Sequence, residues 1–317
     1  MNTNLIKVAI CGSGLMGSGI AQVFASHGVS VSIYSVEDSE AEVLKKVDSN
    51  LRMLVERESI TAEKAQKALS RLKVTNELEK AVENAELIVE CIPEDMELKQ
   101  SLFERLDLIC DPHVILATNT SVMSITEIAK KAKIKNRILG THFWNPAFLI
   151  PLVEVVRTDD TSEEVIERTI NILNDVGKHP IRVNKDVPGF VANRLQHALW
   201  REAISIVENG IADAKTVDES IKYSFGMRLP VLGPIENADM VGTDLTLAIH
   251  HYLLEHLENS TKPSPLLVEM VEKGELGFKS GKGFQQWPKE EIAESKRKLN
   301  HYLIDVENKN QSDQKIN

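Results

Sequence analysis

Residues 6–17 have the sequence Ile6-Lys7-Val8-Ala9-Ile10-Cys11-Gly12-Ser13-Gly14-Leu15-Met16-Gly17. The apolar run that ends at Cys11 predicts a buried strand, and the helical periodicity from Leu15 to His27 predicts a helix directly after the glycines. A G-x-G-x-x-G loop between a strand and a helix is typical of dinucleotide-binding sites, because free N–H groups at the helix N-terminus attract a pyrophosphate. The stretch therefore predicts a dinucleotide-binding fold.

Each glycine of this loop has a predicted task. Gly12 permits the tight turn, Gly14 has no side chain that would block a pyrophosphate, and Gly17 lets the helix pack closely against the strand. The predicted cofactor contacts in the loop are Gly12, Gly14, Leu15, Met16 and Gly17.

The end of the second predicted strand, Val29–Tyr34, bears on which dinucleotide is bound. An acidic residue there usually binds the adenosine ribose hydroxyls of NAD. Ser35 occupies the expected position, and Glu37 or Asp38 could substitute for the acid. No arginine lies close by to hold the extra phosphate of NADP. The sequence therefore favours NAD as the cofactor, with Ser35 among its contacts.

Strand and helix patterns alternate through the first part of the chain. This alternation predicts an α/β fold with a doubly wound, mostly parallel Rossmann-type sheet covered on both faces. After Pro188 the pattern becomes all-α. We expect an NAD-binding domain at 1–186 and a helical domain with a charged tail at 187–317. The other predicted strands are Glu86–Cys91, Val114–Ala117 and Arg137–Thr141, and the predicted helices of the second domain are Phe190–Asn209, Lys215–Tyr223, Asp239–Leu257 and Glu290–Asp305.

Composition excludes several classes of protein. The chain has 317 residues, 42% of them hydrophobic and 26% charged, with a formal net charge of −10. The acidic balance argues against a nucleic-acid partner, which usually requires a basic face. Three widely spaced cysteines form neither a zinc motif nor a disulfide framework and indicate reduced thiols. The sequence has no secretory signal and no apolar run long enough to span a membrane, so we expect a cytoplasmic protein without a membrane partner. We also expect no bound metal.

A histidine near the end of the fifth predicted strand is the candidate catalytic group. His142 precedes Phe143-Trp144-Asn145-Pro146, and Glu154 follows twelve residues after it. In open α/β sheets, ligands bind at the carboxyl ends of parallel strands. A carboxylate on the far nitrogen of His142 would fix its tautomer and raise its basicity, which suits removal of an alcohol proton. Spacing alone also leaves open a structural histidine in a loop.

Six motifs in order between Lys7 and Trp287 resemble the 3-hydroxyacyl-CoA dehydrogenase family. Their agreement in order and spacing is far more specific than any one motif. The resemblance implies a hydride transfer between NAD and the C3 hydroxyl of an L-3-hydroxyacyl-CoA, a small-molecule substrate, and a homodimer. The motifs are Gly12–Gln22, Val89–Glu94, Ala117–Ser121, His142–Pro146, Pro188–Arg194 and Gly277–Phe284.

The same resemblance implies the catalytic set. His142 would be the general base, paired with Glu154. Ser121 and Asn193 would hydrogen-bond the reacting oxygen at C3, where donors stabilise developing negative charge. The alternatives are a helix cap for Ser121 and a helix-start residue for Asn193.

Further contacts are implied for the cofactor and for CoA. Glu94 and Lys99 would lie along the cofactor, and Asn119 near the nicotinamide. Arg57, on the helical pair after the second strand, is the candidate CoA contact. A solvated helix position for Lys99 and an exposed, salt-bridged helix for Arg57 are the alternatives.

Two departures from the family bear on the substrate. The segment Phe225–Pro234 is a few residues longer than usual, and Gln285 stands where tyrosine usually follows Gly-Phe. Together with Asn193–Gln196 and Glu208–Ile211, the longer segment resembles the lambda-crystallin and L-gulonate dehydrogenase branch, whose members oxidise hydroxy acids without CoA. Arg228 could then pair with a substrate carboxylate. The alternatives are thus a CoA-independent dehydrogenase of L-gulonate or carnitine type, or a non-catalytic NAD(H)-binding protein.

Overall fold

The protein, analysed as a computed structural model that describes residues 6–314, is built on one mixed sheet. Within the described range, eight strands lie in the order β3-β2-β1-β4-β5-β6-β7-β8. All neighbouring pairs are parallel except β6 and β7, which are antiparallel. The predicted Rossmann-type fold class is confirmed. The strands are β1 (Lys7–Cys11), β2 (Ser30–Tyr34), β3 (Leu72–Thr75), β4 (Leu87–Glu90), β5 (Ile115–Thr118), β6 (Ile138–Phe143), β7 (Leu152–Val156) and β8 (His179–Val183).

Local sequence signals start the helices that connect these strands. The Ser39 hydroxyl accepts from the Glu42 N–H while the Glu42 carboxylate accepts from the Ser39 N–H, a capping box. Thr61 caps the next helix by accepting from the Lys64 N–H. The helices of this region are α1 (Leu15–Ser26), α2 (Glu40–Glu56), α3 (Ala62–Leu69), α4 (Leu78–Val82), α5 (Met96–Ile109), α6 (Ile125–Ile128) and α7 (Glu163–Asp175).

Apolar side chains are buried on both faces of the sheet. In β1, Val8 and Ile10 belong to one buried cluster, whereas Ala9 and Cys11 belong to the other. Successive residues of a strand point to opposite faces, so both faces of β1 are covered. A nearly continuous apolar run is what a fully buried parallel strand requires.

The strand order reverses beside β1 and places the glycine loop at the resulting crevice. Strands β2 and β3 lie on one side of β1 and β4 on the other. The Gly12 N–H donates to the Tyr34 carbonyl at 2.9 Å, and the Cys91 N–H donates to the Cys11 carbonyl at 2.7 Å. These bonds fix the loop between the ends of β2 and β4, where open α/β sheets bind ligands.

The chain divides into two compact units. One comprises the chain up to Asn193 together with residues from Leu299 onward, and the other comprises Arg194–Lys298. The division predicted at 186/187 stays a prediction. No helix in the described part of the chain is long and apolar enough to cross a membrane. The remaining helices are α8 (Ala192–Glu208), α9 (Ala214–Lys222), α10 (Pro234–Val241), α11 (Thr243–Leu253), α12 (Pro265–Glu272) and α13 (Lys289–Gln314).

Two helical boundaries differ from the sequence prediction. The helix predicted from Asp239 to Leu257 is interrupted at Gly242, whose φ of 105° is incompatible with a right-handed helix. The last helix, α13, continues beyond the predicted Asp305. Ile304 on α13 is fully buried, so this helix has an apolar contact that its polar composition conceals.

Candidate active site

His142 and Glu154 face each other across the antiparallel pair of strands. They are register partners on β6 and β7. The Nδ1 atom of His142 lies 2.8 Å from Oε2 of Glu154. Only 4% of His142 and none of Glu154 is exposed. Pairing in a buried ladder therefore fixes the imidazole and leaves Nε2 as its second polar atom.

Two aromatic rings flank this imidazole. The ring centres of Trp144 and Phe190 lie 5.5 Å and 5.7 Å from that of His142. Phe190 is buried. Its backbone φ is 47°, in the left-handed region that residues other than glycine rarely adopt. This backbone conformation places the Phe190 ring against the imidazole of His142.

The carboxylate of Glu154 also binds the start of α8. Its Oε1 accepts from the Val191 N–H at 2.9 Å and from the Ala192 N–H at 3.1 Å. Burial alone would raise the pKa of the Glu154 carboxyl. The hydrogen bonds from His142, Ala192 and Val191 outweigh burial, so this pKa lies below its ordinary value. Glu154 is therefore an ionised partner for the imidazole at neutral pH.

A cavity of about 320 Å³ opens beside the histidine. The Asn193 amide donates to the Ser121 carbonyl at 3.3 Å, and the Asn119 side-chain oxygen accepts from the Phe143 N–H at 2.9 Å. These two bonds draw the ends of β5, β6 and the first turn of α8 together. The residues that line the cavity are Leu15, Met16, Asn119, Ser121, His142, Phe143, Trp144, Asn145 and Asn193.

The glycine loop fits a dinucleotide. A Cβ added at Gly14 would meet nothing within 4 Å, so the space over the loop is open. A Cβ at Gly17 would lie 2.0 Å from the Gly12 carbonyl oxygen, so that close approach requires glycine. Within residues 6–314 no side chain caps α1, so its first N–H groups can bind a ligand.

A buried charge network lies under the end of β4. Lys99 is 1% exposed, and its ammonium lies 2.6 Å from Glu90 and 3.4 Å from Glu94. Glu94 accepts from the Thr120 hydroxyl at 2.9 Å and from the Ser121 N–H at 3.1 Å. The structure therefore places Lys99 beneath Glu94, and Glu94 beside the segment that carries Ser121.

Two other predicted contacts lie outside the cavity lining. Ser35 is buried at the end of β2, where its hydroxyl contacts Ser13 at 2.8 Å. Arg57 is the C-cap residue that follows α2, and its guanidinium forms an ion pair with Asp305 of α13. The structure thus shows an intramolecular partner for the predicted CoA contact.

Several neighbours of the site were not predicted. The sequence could have indicated Glu90, because a carboxylate at the end of an apolar strand requires a buried partner. Trp144 lies in a motif that the resemblance identifies. For Phe190 only the preceding glycine hints at the unusual backbone.

Comparison with protein families gives a match over most of the chain. Residues 7–187 match the NAD binding domain of 3-hydroxyacyl-CoA dehydrogenase, and residues 189–287 match its C-terminal domain. The chain belongs to the 3-hydroxyacyl-CoA dehydrogenase family. The resemblance found in the sequence and the prediction of NAD as the cofactor are confirmed.

Individual members of this family resemble the chain closely. A probable 3-hydroxybutyryl-CoA dehydrogenase of Bacillus subtilis is 40% identical over 283 residues, which are 89% of this chain and 97% of the relative. The crystal structure of (S)-3-hydroxybutyryl-CoA dehydrogenase from Ralstonia eutropha matches with a TM-score of 0.75 and 33% identity, and covers 89% of this chain and 99% of its own.

A second solved structure agrees over more of the chain. It is 5-formyl-3-hydroxy-2-methylpyridine 4-carboxylic acid 5-dehydrogenase, described as an NAD+-dependent dismutase. Its TM-score is 0.87 at 28% identity, and it covers 96% of this chain and 98% of its own. That coverage extends past Trp287, where the family match ends, and so includes part of α13.

Replacing Glu154 with glutamine tests the charge of this carboxylate. Glu154→Gln should lower the free energy of unfolding at pH 7 by about 1–3 kcal/mol, because buried hydrogen bonds to an ionised acceptor become neutral. The folded-state pKa lies below the ordinary 4.5, so this contribution is complete above pH 4.5 and is lost as the pH falls through the folded-state pKa. Urea unfolding from pH 7 to pH 3.5 measures the difference.

The exposed Glu104 provides a matched control. Glu104→Gln should change stability by less than about 0.5 kcal/mol throughout. A stability difference for Glu154→Gln that stays constant on acidification would contradict the assignment.

Proposed function

We propose that the protein is an NAD-dependent L-3-hydroxyacyl-CoA dehydrogenase. The observation that carries the proposal is the buried His142–Glu154 pair at 2.8 Å, at the edge of a cavity that also contains residues of the glycine loop. Relatives named 3-hydroxybutyryl-CoA dehydrogenase, at 36–40% identity over about nine-tenths of the chain, support it. We propose that residues 1–186 bind the cofactor and that 187–317 serve the substrate and dimerisation.

The proposed chemistry begins at His142. Its Nδ1–H donates to Glu154, which leaves the Nε2 lone pair to accept the proton of a substrate hydroxyl. The hydrogen on the same carbon leaves with its electron pair as hydride, which NAD accepts when bound. In the reverse direction, protonated His142 returns the proton to the carbonyl oxygen, and Glu154 stabilises the imidazolium.

We assign Ser121 and Asn193 to the reacting oxygen. Both line the cavity with His142, and their mutual hydrogen bond holds them together. Donors placed at an oxygen that gains negative charge stabilise the transition state. We assign Asn119 to the nicotinamide side, Glu94 to the edge of the cofactor site, and Lys99 to holding Glu94 from beneath.

Removing the base separates catalysis from binding. His142→Gln should lower kcat by about 100-fold to 10,000-fold, because general-base catalysis contributes that much, while NADH affinity stays within about 2-fold. Steady-state turnover and NADH fluorescence titration measure the two quantities. His113→Gln, at an exposed position, is the control and should keep full turnover. Equal losses of NADH binding and turnover in His142→Gln would refute the role.

A free hydroxy or oxo acid is the second candidate substrate. The observation that favours it is the Arg57–Asp305 ion pair, which engages the proposed CoA contact with α13. In addition, the structural relative with the TM-score of 0.87 is named for a free carboxylic acid. The proton and hydride chemistry at His142 is the same for both candidates, so only substrate recognition distinguishes them.

Paired substrates distinguish the candidates. With acetoacetyl-CoA as the substrate, Arg57→Ala should raise KM about 10-fold and leave kcat unchanged, since a charged contact to CoA contributes roughly 1.5–3 kcal/mol. With free acetoacetate, neither parameter should change. Arg52→Ala, on an exposed neighbouring arginine, is the control. Turnover of free acids alone, indifferent to Arg57, would overturn the CoA assignment and favour the second candidate.

We also propose that the protein is a homodimer. Many large apolar side chains between Arg194 and Lys298 are exposed in the single chain, including Trp200, Met240, Leu247 and Tyr252. Exposed apolar surface of this extent usually marks an interface.

Light scattering after size exclusion tests the dimer. The wild type should show about twice the 35.4 kDa chain mass. Leu247→Glu should shift the mass toward the monomer, because it buries a charge in the proposed interface, whereas Lys262→Glu at an exposed loop should not. A wild-type mass of one chain at micromolar concentration would exclude a stable dimer.

The proposed location is the cytoplasm. Cys11, Cys91 and Cys110 are all free thiols. Unpaired cysteines suit a reducing compartment.

A further inference from the structure

The residue directly after β2 is Ser35 and not the acidic residue that usually binds the adenosine ribose. A carboxylate, that of Asp38, nevertheless lies close to this position. Asp38 follows β2 by four residues. Its Oδ2 accepts from the Ser13 hydroxyl at 2.6 Å. Ser13 is the second residue of the glycine loop, and the Gly12 N–H is bonded to the end of β2 at 2.9 Å. The carboxylate therefore lies directly against the loop that receives the pyrophosphate.

Ser35 holds the Asp38 backbone in this position. Its hydroxyl donates to the Asp38 carbonyl and accepts from the Asp38 N–H, each at 3.0 Å. Both bonds fold residues 35–38 into a turn that brings Asp38 back toward Ser13. Ser35 is buried beneath this turn. Ser35 therefore acts as a support for the turn, and the negative charge of this edge belongs to Asp38.

A lysine completes the cluster. Lys46 on α2 lies 2.6 Å from Oδ2 of Asp38 and donates to the Ser13 carbonyl at 3.3 Å. The hydrogen bonds from Lys46 and Ser13 hold the pKa of the Asp38 carboxyl below its usual range. Both contacts fall on Oδ2. Among the described residues, Oδ1 of Asp38 is therefore available to accept from a ligand hydroxyl.

We propose that Asp38, supported by Ser35, selects NAD over NADP by accepting a hydrogen bond from the adenosine 2′-hydroxyl. The proposal rests on the proposed NAD-dependent function and names the specificity residue of that site. A ribose hydroxyl is a donor that a carboxylate accepts, whereas a 2′-phosphate carries negative charge that the same carboxylate repels. Lys46 does not serve a 2′-phosphate, because its charge is engaged by Asp38.

Removing the charge of Asp38 should reverse this selection. In Asp38→Asn the repulsion disappears and Lys46 keeps its charge without the ion pair to Asp38, close to the loop. We expect the NADH dissociation constant to rise about 10-fold, as for loss of a hydrogen bond to a charged group, and the NADPH constant to fall about 10-fold. Fluorescence titration of each dinucleotide into the full-length protein measures both constants without turnover.

Two further variants test which charges cause the changed NADH and NADPH affinities. Asp38→Asn combined with Lys46→Gln should lose the gain in NADPH affinity, because the cation that attracts the phosphate is absent. Glu37→Gln, at the exposed neighbouring carboxylate, should keep the wild-type NADH to NADPH ratio. Thermal melting of each variant establishes that it is folded.

The outcomes separate this inference from the function on which it rests. A wild type that binds neither dinucleotide would overturn both. A wild type that binds NADH, with an unchanged NADH to NADPH ratio in folded Asp38→Asn, would overturn only the assignment of Asp38. A shifted ratio in Glu37→Gln instead would move the assignment to Glu37.

Discussion

The antiparallel pairing of β6 with β7 is the constraint on which the site depends. It places His142 opposite Glu154 in one buried ladder. A carboxylate without exposed surface is costly unless its lone pairs are satisfied. Here the His142 imidazole hydrogen-bonds Oε2 of Glu154, and the Val191 and Ala192 N–H groups donate to Oε1. One side chain thus orients the imidazole of His142 and also holds the start of α8.

A second constraint is steric and acts at the other edge of the cavity. The carbonyl of Gly12 approaches Gly17 so closely that no Cβ fits between them. This contact sets how far α1 stands from β1, and therefore where its free N–H groups point. The open space over Gly14 follows from the same geometry. Backbone packing positions the loop before any ligand is present, which reduces the cost of binding.

Features that depend on residues close together in the sequence could be predicted, whereas features that depend on distant residues could not. Strand β1, the loop and α1 are specified by residues next to one another, and their positions were predicted. Strands β3, β7 and β8 were not assigned. Two of them carry weak strand signals, since β3 is the short edge strand of the sheet and β8 contains Pro180. The left-handed backbone of Phe190 follows Gly189, which is its one local signal and does not by itself specify a positive φ at the next residue.

Site residues follow the same rule. The His142 and Glu154 pairing was suggested by type and spacing, but the strand register that brings them together was not. The partners of Arg57 and Asp38 illustrate the limit. Arg57 meets Asp305 across 248 residues, and Asp38 meets Ser13 across 25 residues. In both cases a charged side chain is engaged by the chain itself. In the proposed function, recognition of substrate and cofactor depends on the release or retention of these intramolecular partners, while the proposed proton transfer at His142 involves neither.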